Sequence, residues 1–163
     1  MKKLHTLNQL KKILQVKRQE GKRIVLANGG FDLIHVGHIR YLKEAKKEGD
    51  ILLVALNSDS SVRKLKGPGR PILAEDERSE IISSFYFVDY VIIFDEGTVN
   101  NILRTLKPDV HAKGSDYTKE TVPERATVLE YGGEIAITGG PKVRSTSDFF
   151  NLIANKNQNS DGS

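Results

Sequence analysis

Two histidines three residues apart, His35 and His38, stand in the run Asn28-Gly29-Gly30-Phe31-Asp32-Leu33-Ile34-His35-Val36-Gly37-His38. An imidazole N–H is a directed donor without the fixed charge of a lysine. At the entry to a helix, such a pair suits phosphate oxygens, because the first turn offers N–H groups and a partial positive charge. Gly37 leaves room between the rings, and Gly29 and Gly30 let the backbone approach a ligand closely. A histidine pair near a helix start is as often structural as functional, so the pair alone leaves both readings open. Zinc is the other sharp chemistry. It would require Asp32 and a third ligand to converge, and no acidic partner stands at metalloprotease spacing, so phosphate ranks above it.

The elements that must hold this loop follow from periodicity. Thr6 and Gln9 form a capping box, and Leu7, Leu10, Ile13 and Leu14 recur at helical spacing, giving a first helix that ends near Glu20 and Gly21. Residues 24–27 are a short apolar strand, broken by Asn28-Gly29-Gly30. A helix follows over 38–48, with Ile39, Leu42 and Ala45 on one face. Residues 51–56 form a continuous apolar run, the signature of a parallel strand buried on both faces. A basic loop carries Gly67, Pro68, Gly69 and Pro71. Residues 76–87 are helical, 90–94 a third strand, and Thr98 caps a helix that Pro108 ends. Residues 109–112 form a fourth strand. Pro123 opens a helix that stops at Gly132-Gly133, and 134–138 form the fifth strand. Ser145 or Thr146 caps the last helix.

Strands alternate with helices, which predicts an α/β fold with a five-stranded parallel sheet and right-handed crossovers. Residues 1–155 form one domain, and the polar stretch 156–163 is expected to be a disordered tail. Ligands of such sheets bind beyond the carboxyl ends of the strands, where strand order reverses. The loops 28–37, 57–71, 95–98, 113–122 and 139–145 are therefore where chemistry belongs.

The histidine loop resembles the signature of the cytidylyltransferase-like nucleotidyltransferases: a glycine-containing turn, Phe-Asp, then His-x-Gly-His. The resemblance runs from about residue 6 to 153. It includes Asn57-Ser58-Asp59, Lys64-Leu65-Lys66-Gly67-Pro68-Gly69-Arg70-Pro71, Asp76-Glu77-Arg78, Lys113-Gly114-Ser115-Asp116-Tyr117 and Arg144-Ser145-Thr146-Ser147. This ordered set is most similar to the adenylyltransferase domain that makes ADP-heptose from D-glycero-β-D-manno-heptose 1-phosphate. Gly30 stands where that branch usually has cysteine, Ser115 where it has glycine, and Ser147 where it has threonine. None of these changes removes a group needed for chemistry.

The resemblance implies a Rossmann-like three-layer fold and attack of a sugar-phosphate oxygen on the α-phosphorus of ATP, with release of pyrophosphate. His35, His38 and Lys66 would be catalytic. Gly30, Phe31, Arg78, Lys113, Gly114, Asp116, Ser145 and Thr146 would join them in holding the nucleotide, and Asn57, Asp59 and Tyr117 would hold the sugar phosphate. Other readings stand beside several of these: a solvated loop lysine for Lys66, a surface ion pair for Arg78, a turn for Asp116 and plain capping for Ser145 or Thr146. Mg²⁺ is expected on the phosphates, with no fixed protein site, and Asp32 is expected to hold the loop by hydrogen bonding rather than to ligate the metal.

Composition bounds the alternatives. The chain has 163 residues, 38% hydrophobic and 28% charged, with a formal net charge of +4. That excess suits an anionic small ligand and is too small to argue for nucleic acid. The absence of cysteine excludes disulfides, cysteine metal sites and thiol nucleophiles. No apolar run approaches the span of a bilayer and the N-terminus lacks a signal-peptide core, so a cytoplasmic protein without a membrane partner is expected, with a homodimer as one possible assembly. Rival functions are transfer of a cytidylyl group to glycerol 3-phosphate, a nucleotide-binding regulator without catalysis, and nucleic-acid binding by the basic stretch 63–70.

Overall fold

The computed structural model describes residues 2–141 and 146–160. In chain order the elements are α1 (Leu7–Gln19), β1 (Ile24–Gly29), α2 (Val36–Lys47), β2 (Ile51–Asn57), α3 (Asp59–Lys66), α4 (Glu75–Ser83), β3 (Tyr90–Phe94), α5 (Asn100–Leu106), β4 (Val110–Lys113), α6 (Arg125–Glu130), β5 (Glu134–Ile137) and α7 (Thr146–Ser160).

The strands form one parallel sheet in the order β3-β2-β1-β4-β5. The continuous apolar run of β2 is buried at every position, as a strand covered on both faces requires. On one face, Leu10 and Leu14 of α1 pack with Ile102, Leu103 and Leu106 of α5 and Val128 of α6. On the other, Leu42 and Ala45 of α2 pack with Ile82 of α4. The alternation of elements predicts the parallel α/β sheet, and the layers on its two faces make the Rossmann-like three-layer arrangement that the family resemblance implies.

Local signals act largely as written. The Thr6 hydroxyl accepts from the Gln9 N–H at 3.3 Å while the Gln9 side chain accepts from the Thr6 N–H at 2.9 Å, closing the capping box of α1. Several elements differ from expectation, among them α4, which stops at Ser83 instead of running to residue 87. The basic stretch is in part a helix, α3, capped by Ser58, whose hydroxyl accepts from the Ser61 N–H. Only Val62 and Ser61 are buried on it, so apolar periodicity carried no signal there. Thr98 does not cap α5: Val99 holds the cap position, and the Thr98 hydroxyl instead meets the Asn100 side chain at 3.0 Å. Helix α7 extends through Ser160, so residues 156–160 are helical rather than part of an irregular tail.

Candidate active site

A cavity of about 360 Å³ opens beyond the carboxyl ends of β1, β4 and β5. β1 and β4 are the neighbours at which strand order reverses, which is where such sheets hold their ligands. One wall is the loop from β1 into α2, another the loop after β4, and the third the turn after β5.

His35 is the N-cap of α2. Its Nδ1 accepts from the Gly37 N–H at 3.1 Å, and His38 Nδ1 accepts from the His35 N–H at 3.2 Å. A neutral imidazole that accepts at Nδ1 carries its proton at Nε2. Both rings therefore present Nε2–H donors, and their centroids are 3.9 Å apart. His35 Nε2 is buried, and among the described residues nothing accepts from it. The amides of Gly37 and His38 are already engaged by His35, through its Nδ1 and its carbonyl. Of the two kinds of donor expected at this helix entry, the imidazoles are left available while these two backbone amides are spent.

Burial lowers the His38 pKa to about 4, with the charges of His35 and Lys66 acting in the same direction. Burial likewise lowers that of His35, while Asp148 pulls it back up. Neutral rings donate without repelling each other at this separation. Phe31 fixes them from behind. Its φ of 50° lies in the left-handed region, and its ring meets His38 edge-on at 5.3 Å and stacks against Tyr41 at 6.4 Å. That ring fills the space over Gly29, where a Cβ would come within 3.1 Å of it.

Lys66 ends α3 and lines the cavity; Lys64 does not. Burial lowers the Lys66 pKa, followed by the repulsion of Arg70, with Asp32 opposing both. Arg70 is anchored by Asp32, which is almost completely buried and accepts from Arg70 Nε at 3.0 Å and from the N–H groups of Ile72 and Leu73. Asp32 is therefore the tie between the histidine loop and the segment after α3. Burial opposes its ionisation, but these donors outweigh it and its pKa lies below the ordinary carboxylate value.

Of the other residues singled out in the sequence, Gly30, Phe31, Lys113, Gly114, Asp116 and Tyr117 line the cavity together with His35, His38 and Lys66. Lys113 lies over the Tyr117 ring at 4.7 Å and 3.9 Å from Glu124. Arg78 is not brought there. It is fully buried and donates to the carbonyls of Leu73, Gly30 and Asn57 and to the Asp59 carboxylate at 2.7 Å. Both sequence readings of Arg78, phosphate ligand and surface ion pair, give way to a buried clamp. The same clamp takes Asp59, and the Asn57 side chain donates to Ser61, so neither residue of this pair lines the cavity. Ser145 lies outside the described residues, as does the side chain of Thr146, the first residue of α7.

Several lining residues had no role in the sequence reading. Tyr41 donates to the Ala112 carbonyl at 2.6 Å and accepts from the Asn28 N–H, tying β1 to β4. Gly139 has φ +98°, and a Cβ there would stand 2.9 Å from Tyr41 Cα. His111 and Glu124 are buried polar groups behind the wall. His111 was visible in principle as a titratable residue within an otherwise apolar strand.

The cytidylyltransferase-like family matches residues 26–153, which span every wall of this cavity. The chain belongs to that family. Among curated members of similar sequence, it is 43% identical over 154 residues to the bifunctional protein HldE of Syntrophotalea carbinolica, covering 94% of this chain and 31% of that protein. It is 45% identical over 151 residues to bifunctional HldE of Geobacter metallireducens, with 93% and 31% covered. The chain thus spans about a third of the length of the curated relatives it matches. Among solved structures, the lipopolysaccharide core biosynthesis protein of Thermoplasma volcanium is 35% identical with a TM-score of 0.61, covering 72% of this chain and 94% of that one. Pantoate-β-alanine ligase of Francisella tularensis shares the fold at 15% identity, with a TM-score of 0.59, 90% of this chain and 69% of that one covered. For this member of the cytidylyltransferase-like family, the described helices include none long and apolar enough to cross a membrane.

Proposed function

We propose that this chain transfers the adenylyl group of ATP to heptose 1-phosphate, forming ADP-heptose and pyrophosphate. The observation that carries this reading is the pair of Nε2–H donors on His35 and His38, held by reciprocal capping in one cavity with Lys66. Likeness to HldE proteins and to a lipopolysaccharide core biosynthesis protein supports a sugar phosphate as acceptor.

An oxygen of the sugar phosphate attacks the α-phosphorus of ATP. The new P–O bond forms as the bond from the α-phosphorus to the bridging oxygen breaks, and that electron pair leaves on pyrophosphate. The attacking oxygen is already anionic near neutral pH, so no residue has to remove a proton. Rate comes from alignment and from donors preset for charge that grows on phosphate oxygens. His35 and His38 donate to those oxygens, and Lys66 neutralises charge on the triphosphate or on the acceptor phosphate. Gly30 and Phe31 line the nucleotide, joined by Lys113, Gly114 and Asp116, and Tyr117 faces the sugar. Ser145 and Thr146 hold the outer phosphates.

Among the described residues there is no group of three or more histidine or acidic side chains able to hold a metal, and Asp32 is committed to Arg70 and two amides. Mg²⁺ would arrive with the nucleotide as MgATP, with Asp32 staying on the loop rather than on the ion.

Pyrophosphate release across four nucleotides and a panel of phosphorylated sugars and alcohols tests the proposal. ATP with heptose 1-phosphate is expected to be the fastest pair. Preference for CTP with glycerol 3-phosphate would overturn the assignment of substrates. Tight nucleotide binding without release from any pair would point to a regulator.

A further inference from the structure

His111 sits in β4 between Val110 and Ala112, opposite Leu26 of β1, and is fully buried. A leucine would fill such a position with no polar atom to desolvate. The ring makes one polar contact that the structure records: Nε2 lies 2.8 Å from Oδ1 of Asn28, at the carboxyl end of β1. Asn28 lines the cavity. His111 Nδ1 is buried and has no hydrogen-bond partner among the described residues.

Two arrangements satisfy the contact. In the first, His111 Nε2–H donates to Asn28 Oδ1, Nδ1 is bare, and the Asn28 NH₂ group is left for the cavity. In the second, the Asn28 amide is turned, its NH₂ donates to a bare Nε2, and the proton on Nδ1 is buried without an acceptor. An orphaned buried N–H is the rarer and costlier outcome. The first arrangement is therefore favoured, and it fixes which end of Asn28 meets a ligand.

We propose that His111 is a positioning residue, locking the Asn28 amide so that its NH₂ group donates to an oxygen of the bound nucleotide or sugar phosphate. This rests on the transferase reading of the cavity and adds to it a donor from the carboxyl end of β1. Burial, aided by the Lys113 charge, lowers the His111 pKa to about 3, so the donor pattern is unchanged across the working pH range.

The test uses the whole chain labelled with ¹⁵N. Ring nitrogen shifts are expected to report the Nε2–H tautomer of His111, and the Asn28 side-chain amide protons are expected to move when MgATP or heptose 1-phosphate is added. An Nδ1–H tautomer, or an Asn28 amide indifferent to both ligands, overturns the proposal. Kinetically, His111→Leu is expected to lower kcat/KM about tenfold or more, the loss typical of one directed donor to a charged group. His111→Gln, which retains an N–H, is expected to recover most of it. A folded His111→Leu variant with unchanged kinetics overturns the proposal, and if that variant does not fold, the spectra of the unmodified chain decide. Should the unmodified chain release no pyrophosphate from any pair, the proposed reaction fails while the tautomer and amide shifts still judge the role of His111.

Discussion

His38 accepts the backbone N–H of His35 at 3.2 Å through Nδ1, so the second histidine of the pair caps the turn that the first one opens. One contact thereby sets both the helix start and the tautomer. The structural and catalytic readings of the pair are not alternatives: each ring spends one nitrogen on the fold and keeps the other as a donor.

Acid sensitivity follows from three histidines held neutral. Burial lowers the pKa of His111 to about 3 and that of His38 to about 4, and acts on His35 in the same direction. In the unfolded chain each titrates near ~6.5. Below that pH the unfolded state takes up protons the folded state refuses, so this stabilisation is present above about pH 6.5 and is lost as pH falls towards the folded-state values. For His111 alone the slope is about 1.4 kcal/mol per pH unit. Urea unfolding between pH 7.5 and 4.5 is expected to show falling stability, with a shallower slope in His111→Leu. Equal slopes in both proteins would contradict the assignment.

Arg78 is expected to govern stability rather than affinity. Arg78→Met leaves the Asp59 charge and the carbonyls of Gly30 and Asn57 without their donor. The Asp59 side chain is 35% exposed and can turn to solvent, so the cost is mainly that of the orphaned carbonyls, about 2–4 kcal/mol. Arg78→Lys is expected to rescue little, because one ammonium cannot span acceptors that a planar guanidinium reaches together. Denaturant midpoints check this, and near-normal stability with weakened ATP binding would restore the phosphate-ligand reading.

Much of this was legible beforehand, and the exceptions share a cause. The strands announce themselves as short apolar runs, β2 most plainly over residues 51–56, and the histidine loop because Gly29 and Gly30 precede His35 and Gly37 separates it from His38. Arg78 misled because its neighbours Glu75, Asp76, Glu77 and Glu80 look like a solvated helix face, while its partners Gly30, Leu73 and Asn57 are backbone carbonyls that carry no sequence signal. Helix α3 was hidden because it buries so little apolar surface. The His111–Asn28 contact joins residues 83 apart, and only the pairing of β4 beside β1 brings them together.

Asp32 separates a structural carboxylate from a metal ligand. Asp32→Asn turns an acceptor of the Arg70, Ile72 and Leu73 N–H groups into a partial donor facing them. A loss of roughly 2–4 kcal/mol in stability is expected. The Mg²⁺ concentration giving half-maximal turnover is expected to stay as it is, and a marked rise would make Asp32 a metal ligand.

Gly139 holds the turn after β5 against α2. Gly139→Ala forces an L side chain into φ +98° and places its Cβ 2.9 Å from Tyr41 Cα. Tyr41 must shift, and with it the bonds to Asn28 and Ala112. Strain of about 1–3 kcal/mol is expected, together with a raised KM for the substrates. Thermal unfolding beside steady-state kinetics checks both, and an unperturbed KM would remove this turn from the site.

The most direct test of the account is turnover by His38→Ala with both substrates saturating, beside a thermal melt that verifies folding. Loss of a preset donor to transition-state charge is expected to lower kcat on the order of 10²–10³-fold while the cavity still binds nucleotide. A folded His38→Ala variant turning over near the unmodified rate would contradict the claim that the two imidazoles stabilise charge on the reacting phosphates.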